Sequence, residues 1–210
     1  MAVRVAVLAS GGGSNLQALV DACDAGRCAA RIVLAAADAP GAGALARAER
    51  AGIPARLVDR GAHPTREAFE HALDAVIHAH GADLVCLAGF MRILSPRFVE
   101  AWHDRLLNVH PSLLPAFKGL DTHRRALETG VRLHGCTVHL VRPALDDGPI
   151  LVQGAVPVRE GDDAATLAAR VLAMEHRCYP LALDLLARGA VRIDGERVAG
   201  AERGRLLVDR

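Results

Sequence analysis

The opening of the chain constrains its fold more than any other stretch. Val3–Ala9 is an apolar run interrupted only by Arg4, and Ser10-Gly11-Gly12-Gly13-Ser14-Asn15 follows it. Leu16, Leu19 and Val20 then recur at helical spacing, so the order is strand, glycine turn, helix. The same order repeats downstream. Arg31–Ala37 reads as a second strand, Gly43–Ala51 as an alanine-rich helix and Pro54–Val58 as a short third strand. Phe69, Leu73, Val76 and Ile77 mark an amphipathic helix starting near Thr65, ahead of a buried strand over Asp83–Ala88. Ser95–Ala101 and Thr122–Thr129 read as helices, and Leu106–Val109, Gly135–Val141 and Ile150–Val158 as strands. A long apolar helical face runs from Asp162 to Arg188, which Pro180 is expected to bend or break. Val191–Val198 carries an Asp-Gly hairpin signal. Repeated βα units predict an α/β chain with a Rossmann-like, doubly wound, mostly parallel sheet, helices on both faces, and a C-terminal helix plus a short hairpin.

With 210 residues, 51% of them hydrophobic, the chain can bury a sizeable core within one domain, read as 1–210. Its formal charge of +1 gives no basic excess for gripping a phosphate backbone, which argues against a nucleic-acid partner. Cys23, Cys28, Cys86, Cys136 and Cys178 are scattered without a Cys-x-x-Cys pair, as expected of reduced thiols in a cytoplasmic protein. The apolar run after Met1 is too short for a signal segment, and no later run reaches the ~20 residues of a membrane span. No membrane association is therefore expected.

In open parallel sheets ligands bind beyond the carboxyl ends of the strands, and the chemistry-bearing residues fall at such ends. Ser10–Asn15 has the physics of a phosphate cradle: glycines let backbone N–H groups approach an oxyanion, and the helix start adds its dipole. The blander reading is a glycine turn of the kind that precedes many helices. The loop lacks the Gly-Lys-Ser/Thr of a P-loop, and Leu16 stands where a dinucleotide fingerprint has its third glycine. Asp38, at the end of the second strand, leaves a ribose-holding, nicotinamide-dependent alternative open.

Asn108 and His110, two apart in a strand that Pro111 terminates, should project from one face. They are either a polar pair satisfied by the turn or two donors converging on a substrate. Asp146-Asp147-Gly148-Pro149 is by itself a turn signal, yet a carboxylate set beside His110 would support positive charge on the imidazole. His71, His78 and His80 lack the i, i+4 spacing of a zinc-binding helix and read as surface or partly buried side chains, so no metal is expected. Glu175 reads by default as a solvated helix charge.

Taken together, Ser-Gly-Gly-Gly-Ser-Asn-Leu-Gln at 10–17, Leu-Ala-Gly-Phe-Met-Arg-Ile-Leu-Ser at 87–95, Asn-Val-His-Pro-Ser-Leu-Leu-Pro at 108–115 and Leu-Asp-Asp-Gly-Pro-Ile at 145–150 resemble the folate-dependent phosphoribosylglycinamide formyltransferases. The likeness runs in order through Glu175-His176 and Tyr179-Pro180. It implies transfer of a formyl group from 10-formyltetrahydrofolate, as cosubstrate, to the amine of 5-phosphoribosylglycinamide in purine synthesis, without metal. By resemblance, Gly13, Ser14 and Asn15 hold the substrate phosphate and Glu175 its ribosyl part. Arg66, Met91, Arg92, Ile93, Leu94 and Asn108 line the folate site, and Asn108, His110 and Asp146 are catalytic. Residues 1–100 are then mainly the phosphate-binding half, and 101–210 mainly the folate-binding and catalytic half.

Two positions depart from the family pattern. Asp121 stands where many relatives have histidine, and Asp147 where glycine is frequent, so that two carboxylates adjoin. Partners are expected to be small molecules, with the chain a monomer or homodimer. A methionyl-tRNA formyltransferase would carry a further C-terminal domain, for which a chain ending at 210 leaves no room. A formyltetrahydrofolate hydrolase would carry a domain ahead of the first strand, for which Met1-Ala2 leaves none. A non-catalytic nucleotide-binding module would explain the glycine loop and leave Asn108, His110 and Asp146 coincidental.

Overall fold

The computed structural model describes residues 2–200 and 205–208, which fall into two compact units, Met1–Asn108 and Val109–Arg210. The first is built of βα repeats. Its strands are β1 (Val3–Ala9), β2 (Ala30–Ala37), β3 (Ala55–Leu57), β4 (Leu84–Leu87) and the first residues of β5 (Leu106–His110). Neighbours are β5-β4-β1-β2-β3, and every pair is parallel. Val5 to Ala9 are consecutively 0–1% exposed; a strand buried at odd and even positions alike is covered on both faces, which explains why it reads as a continuous apolar run.

The helices of this unit are α1 (Ser14–Asp24), α2 (Gly43–Arg50), α3 (Arg66–Ala79) and α4 (Pro96–Ala101). The starts of α3 and α4 follow side-chain capping chemistry. Thr65 Oγ1 accepts from the Ala68 N–H at 3.1 Å, and Ser95 Oγ accepts from the Phe98 N–H at 3.2 Å with Pro96 in the first turn, each satisfying a donor the helix leaves open. Phe69, Leu73 and Ile77 form the buried stripe of α3.

In the second unit, α5 (Thr122–Thr129), β6 (Leu133–Leu140), β7 (Ile150–Pro157) and α6 (Ala164–Ala187) follow the end of β5. Strands β6 and β7 are antiparallel, and α6 packs on both. Gly154 on β7 makes that contact close: a Cβ there would lie 2.3 Å from Met174 Cγ and 2.5 Å from Cys178 Sγ. Strands β8 (Arg192–Asp194) and β9 (Arg197–Ala199) form the expected hairpin. The sequence reading overlooked β10 (Arg205–Val208), which lies parallel to β7.

Of the two expected effects of Pro180, a bend or a break, the break does not occur: α6 runs 24 residues through it. Proline removes one intrahelical bond, to the His176 carbonyl. Cys178, Tyr179, Pro180, Ala182 and Leu183 are all buried, and that apolar burial offsets the loss.

Candidate active site

In the first unit the glycine loop joins β1 to α1. Gly13 caps α1 with φ +75°, a left-handed conformation that favours glycine. Its place is also fixed by packing, because a Cβ would lie 2.7 Å from Ala44 Cα and 2.8 Å from Ala44 Cβ. The loop is bound to α2 by its carbonyls: Gly11 O accepts from the Ala44 N–H at 3.1 Å, and Gly12 O from Arg47 Nε at 2.7 Å. Groups that would repel an anion are thus engaged, beside a helix start whose N–H groups favour one. Gly13→Ala, combining a left-handed alanine with a backbone clash, is expected to cost about 2–4 kcal/mol, lowering Tm by about 5–15 °C in a thermal melt.

The segment Gly89–Ser95, between β4 and α4, has no regular structure. Met91 and Ile93 are 72% and 73% exposed, while Leu94 is buried. Arg66, half-exposed at the start of α3, lies 3.9 Å from Glu70. Asn108 is half-buried on β5 beside Leu87 of β4. Asp38 corrects one sequence alternative: its side chain is 0% exposed and ion-paired with Arg92, so it is closed to a ribose hydroxyl. A cavity of about 630 Å³ lined by Arg4, Ala30, Arg31, Ile53 and His80 opens at the amino ends of β1 and β2, the end opposite the glycine loop.

In the second unit His110 is 6% exposed. Its Nδ1 lies 3.3 Å from Asp146 Oδ1 and its Nε2 lies 3.0 Å from the Phe117 carbonyl. A neutral ring donates to one of these acceptors; a doubly protonated ring donates to both. Asp146 Oδ2 accepts from the Gly119 N–H at 2.7 Å. The carboxylate is therefore held on two sides, on a backbone with φ +47° that aspartate tolerates better than most residues. Asp147 points elsewhere: its carboxylate is 3.4 Å from Lys118 Nζ and more than half exposed, and its carbonyl accepts from His139 Nδ1 at 3.2 Å.

Further histidines surround this pair, and the sequence reading singled out none of them. His134 on β6 is 1% exposed and meets the Phe117 and His123 rings edge-on at 5.8 and 5.3 Å. Burial above all, then the neighbouring His123 and His110, pushes its pKa down to about 4. Burial likewise lowers His123 and His139. An unfolded histidine takes its proton near 6.5. His134 thus contributes stability that is present in full above pH ~6.5 and is lost as pH falls toward 4, up to about 3 kcal/mol. Thermal melts across that window should show a steeper loss for the wild type than for His134→Phe.

Glu175, on α6, is 7% exposed, which corrects the solvated-charge reading. His71 and His78 are exposed and His80 half-buried. Among the described residues no group of three or more His, Cys, Asp or Glu is placed to hold a metal ion, and no helix is long and apolar enough to cross a membrane.

Residues 3–183 match the model of the formyl transferase family. The chain belongs to that family. This formyl transferase is 43% identical to the phosphoribosylglycinamide formyltransferase of Escherichia coli K12 over 203 residues, spanning 93% of this chain and 96% of the relative. It is 50% identical over 190 residues, 90% of its length, to the human trifunctional purine biosynthetic protein adenosine-3, of which it spans about a fifth, 19%. The fold is similar to the crystal structure of glycinamide ribonucleotide transformylase 1 from Symbiobacterium toebii, with TM-score 0.91 and 50% identity, covering 94% of this chain and 93% of that one.

Proposed function

We propose that this formyl transferase transfers the formyl group of 10-formyltetrahydrofolate to the amine of 5-phosphoribosylglycinamide, a step of purine synthesis. The observation that carries the reading is the buried His110–Asp146 pair at 3.3 Å, in which His110 lies on the strand that also presents Asn108. Small-molecule partners and a cytoplasmic setting belong to the same proposal.

The folate supplies an electrophilic formyl carbon. The exposed Met91 and Ile93 side chains and the irregular backbone between them suit a flat, partly apolar ligand with hydrogen-bonding edges. Attack by the amine places negative charge on the formyl oxygen, for which Asn108 is an amide donor; collapse of that adduct breaks the bond from the formyl carbon to the folate nitrogen, which leaves as tetrahydrofolate carrying the proton that the amine gives up. His110 adds a second donor through Nε2, the nitrogen that bonds the Phe117 carbonyl and exchanges that partner for substrate. Asp146 supports charge on the ring through Nδ1 and fixes its orientation. Gly13, Ser14 and Asn15 hold the phosphate, and the buried Glu175 takes a ribosyl hydroxyl.

The test is an acceptor series with 10-formyltetrahydrofolate: no acceptor, phosphoribosylglycinamide, then charged methionyl-tRNA. Tetrahydrofolate should appear only with the glycinamide. Release without acceptor would identify a hydrolase instead, and transfer to tRNA would identify another formyltransferase.

A further inference from the structure

Gly89–Ser95 has no helix or sheet to hold it, yet it is tied down at three places. At one end Ser10 N donates to Gly89 O at 3.1 Å, and Ser10 Oγ accepts from the Met91 N–H at 2.8 Å. At the other, buried Glu70 accepts from both the N–H and the hydroxyl of Ser95. Between them, Arg92 Nε donates to Asp38 Oδ2.

The middle tie is unlike the others. The Asp38 side chain is 0% exposed, whereas that of Arg92 is 46% exposed, and the second carboxylate oxygen, Oδ1, is buried with no hydrogen-bond partner among the described residues. Burying a carboxylate with one oxygen unsatisfied costs desolvation that a single half-exposed cation does not fully return. As a contribution to stability the arrangement is poor. As an orienting device it is effective, because it fixes one edge of the guanidinium through Nε and leaves the terminal nitrogens as donors for a bound molecule.

We propose that Asp38 is a positioning residue: through Arg92 it sets the Met91–Leu94 segment in its ligand-binding conformation before the folate arrives. The inference rests on the reading of that segment as the folate site. Without the ion pair the segment stays anchored at Ser10 and Glu70, while Arg92 turns into solvent and must be ordered again on binding.

The test is a double-mutant cycle of Asp38→Ala and Arg92→Ala, read by calorimetry with tetrahydrofolate and by steady-state kinetics with both substrates. Asp38→Ala should weaken tetrahydrofolate binding about 10-fold, raise KM for 10-formyltetrahydrofolate in proportion, and leave KM for phosphoribosylglycinamide within about 2-fold. Its Tm should move by less than about 3 °C, since the group removed contributes little to stability. In the Arg92→Ala background the same change should add less than about 2-fold. Asp38→Asn, which can still accept from Nε, should recover most of the affinity. If Asp38→Ala does not fold, Asp38→Leu, of similar volume, takes its place in the cycle.

Equal losses for both substrates, losses that add to those of Arg92→Ala, or no loss would overturn the role of Asp38. A wild type that binds no tetrahydrofolate would instead remove the functional reading on which the inference stands.

Discussion

Replacing His110 by alanine is expected to slow formyl transfer by about 10²–10⁴-fold, with the fold intact. The range follows from what the side chain can do. Burial at 6% exposure removes water as a competing donor. The contacts to Asp146 and to the Phe117 carbonyl fix the ring so that little reorganisation is needed as charge develops. Asn108→Ala should cost a smaller ~10²–10³-fold, because a neutral amide gives one hydrogen bond and no charge. Single-turnover rates, with circular dichroism to verify folding, read both variants, and near-normal turnover in His110→Ala would remove this residue from the mechanism.

A second expected result separates two adjacent acids. Asp146→Asn should slow turnover about 10²–10³-fold, whereas Asp147→Asn should stay within about 3-fold. Asparagine tolerates the positive φ at position 146 and can still accept from the Gly119 N–H, so the variant isolates loss of the carboxylate from loss of shape. It then offers an amide N–H to His110 Nδ1, which must accept, and the doubly protonated ring loses its support. Asp147 reaches its surroundings through Lys118 at the surface and through its own carbonyl to His139, and the carbonyl survives substitution. Equal losses in the two variants would show that both carboxylates serve the ring.

Much of this molecule is legible in the chain before any coordinates, and what is legible shares one cause. Runs such as Val3–Ala9 and Phe69, Leu73 and Ile77 carry their period in apolar side chains, and burial follows that period directly. Thr65 and Ser95 announce helix starts because their hydroxyls satisfy donors that every helix leaves open. The failures have different causes. Pro180 lies inside a helix because surrounding burial outweighs one missing hydrogen bond, a balance no local rule contains. Glu175 looks solvated by residue type and is buried by tertiary packing. His110 meets the Phe117 carbonyl, and Asp146 accepts from the Gly119 N–H; these are main-chain atoms, present at every position and so invisible in a list of side chains. Asp38 is in plain view, but its partner lies 54 residues away, a distance over which no periodicity speaks.

The loop that supplies those main-chain atoms has one further property. Lys118, between the carbonyl that meets His110 and the N–H that meets Asp146, is the only lysine among the 210 residues, and its side chain is more than a third exposed. Apart from the terminal amine, an amine-reactive dye has a single place to attach. A fluorophore placed there under mild conditions would sit beside the main-chain atoms that hold His110 and Asp146 and test whether its emission changes on adding each substrate, without engineering a cysteine into a chain that already holds five.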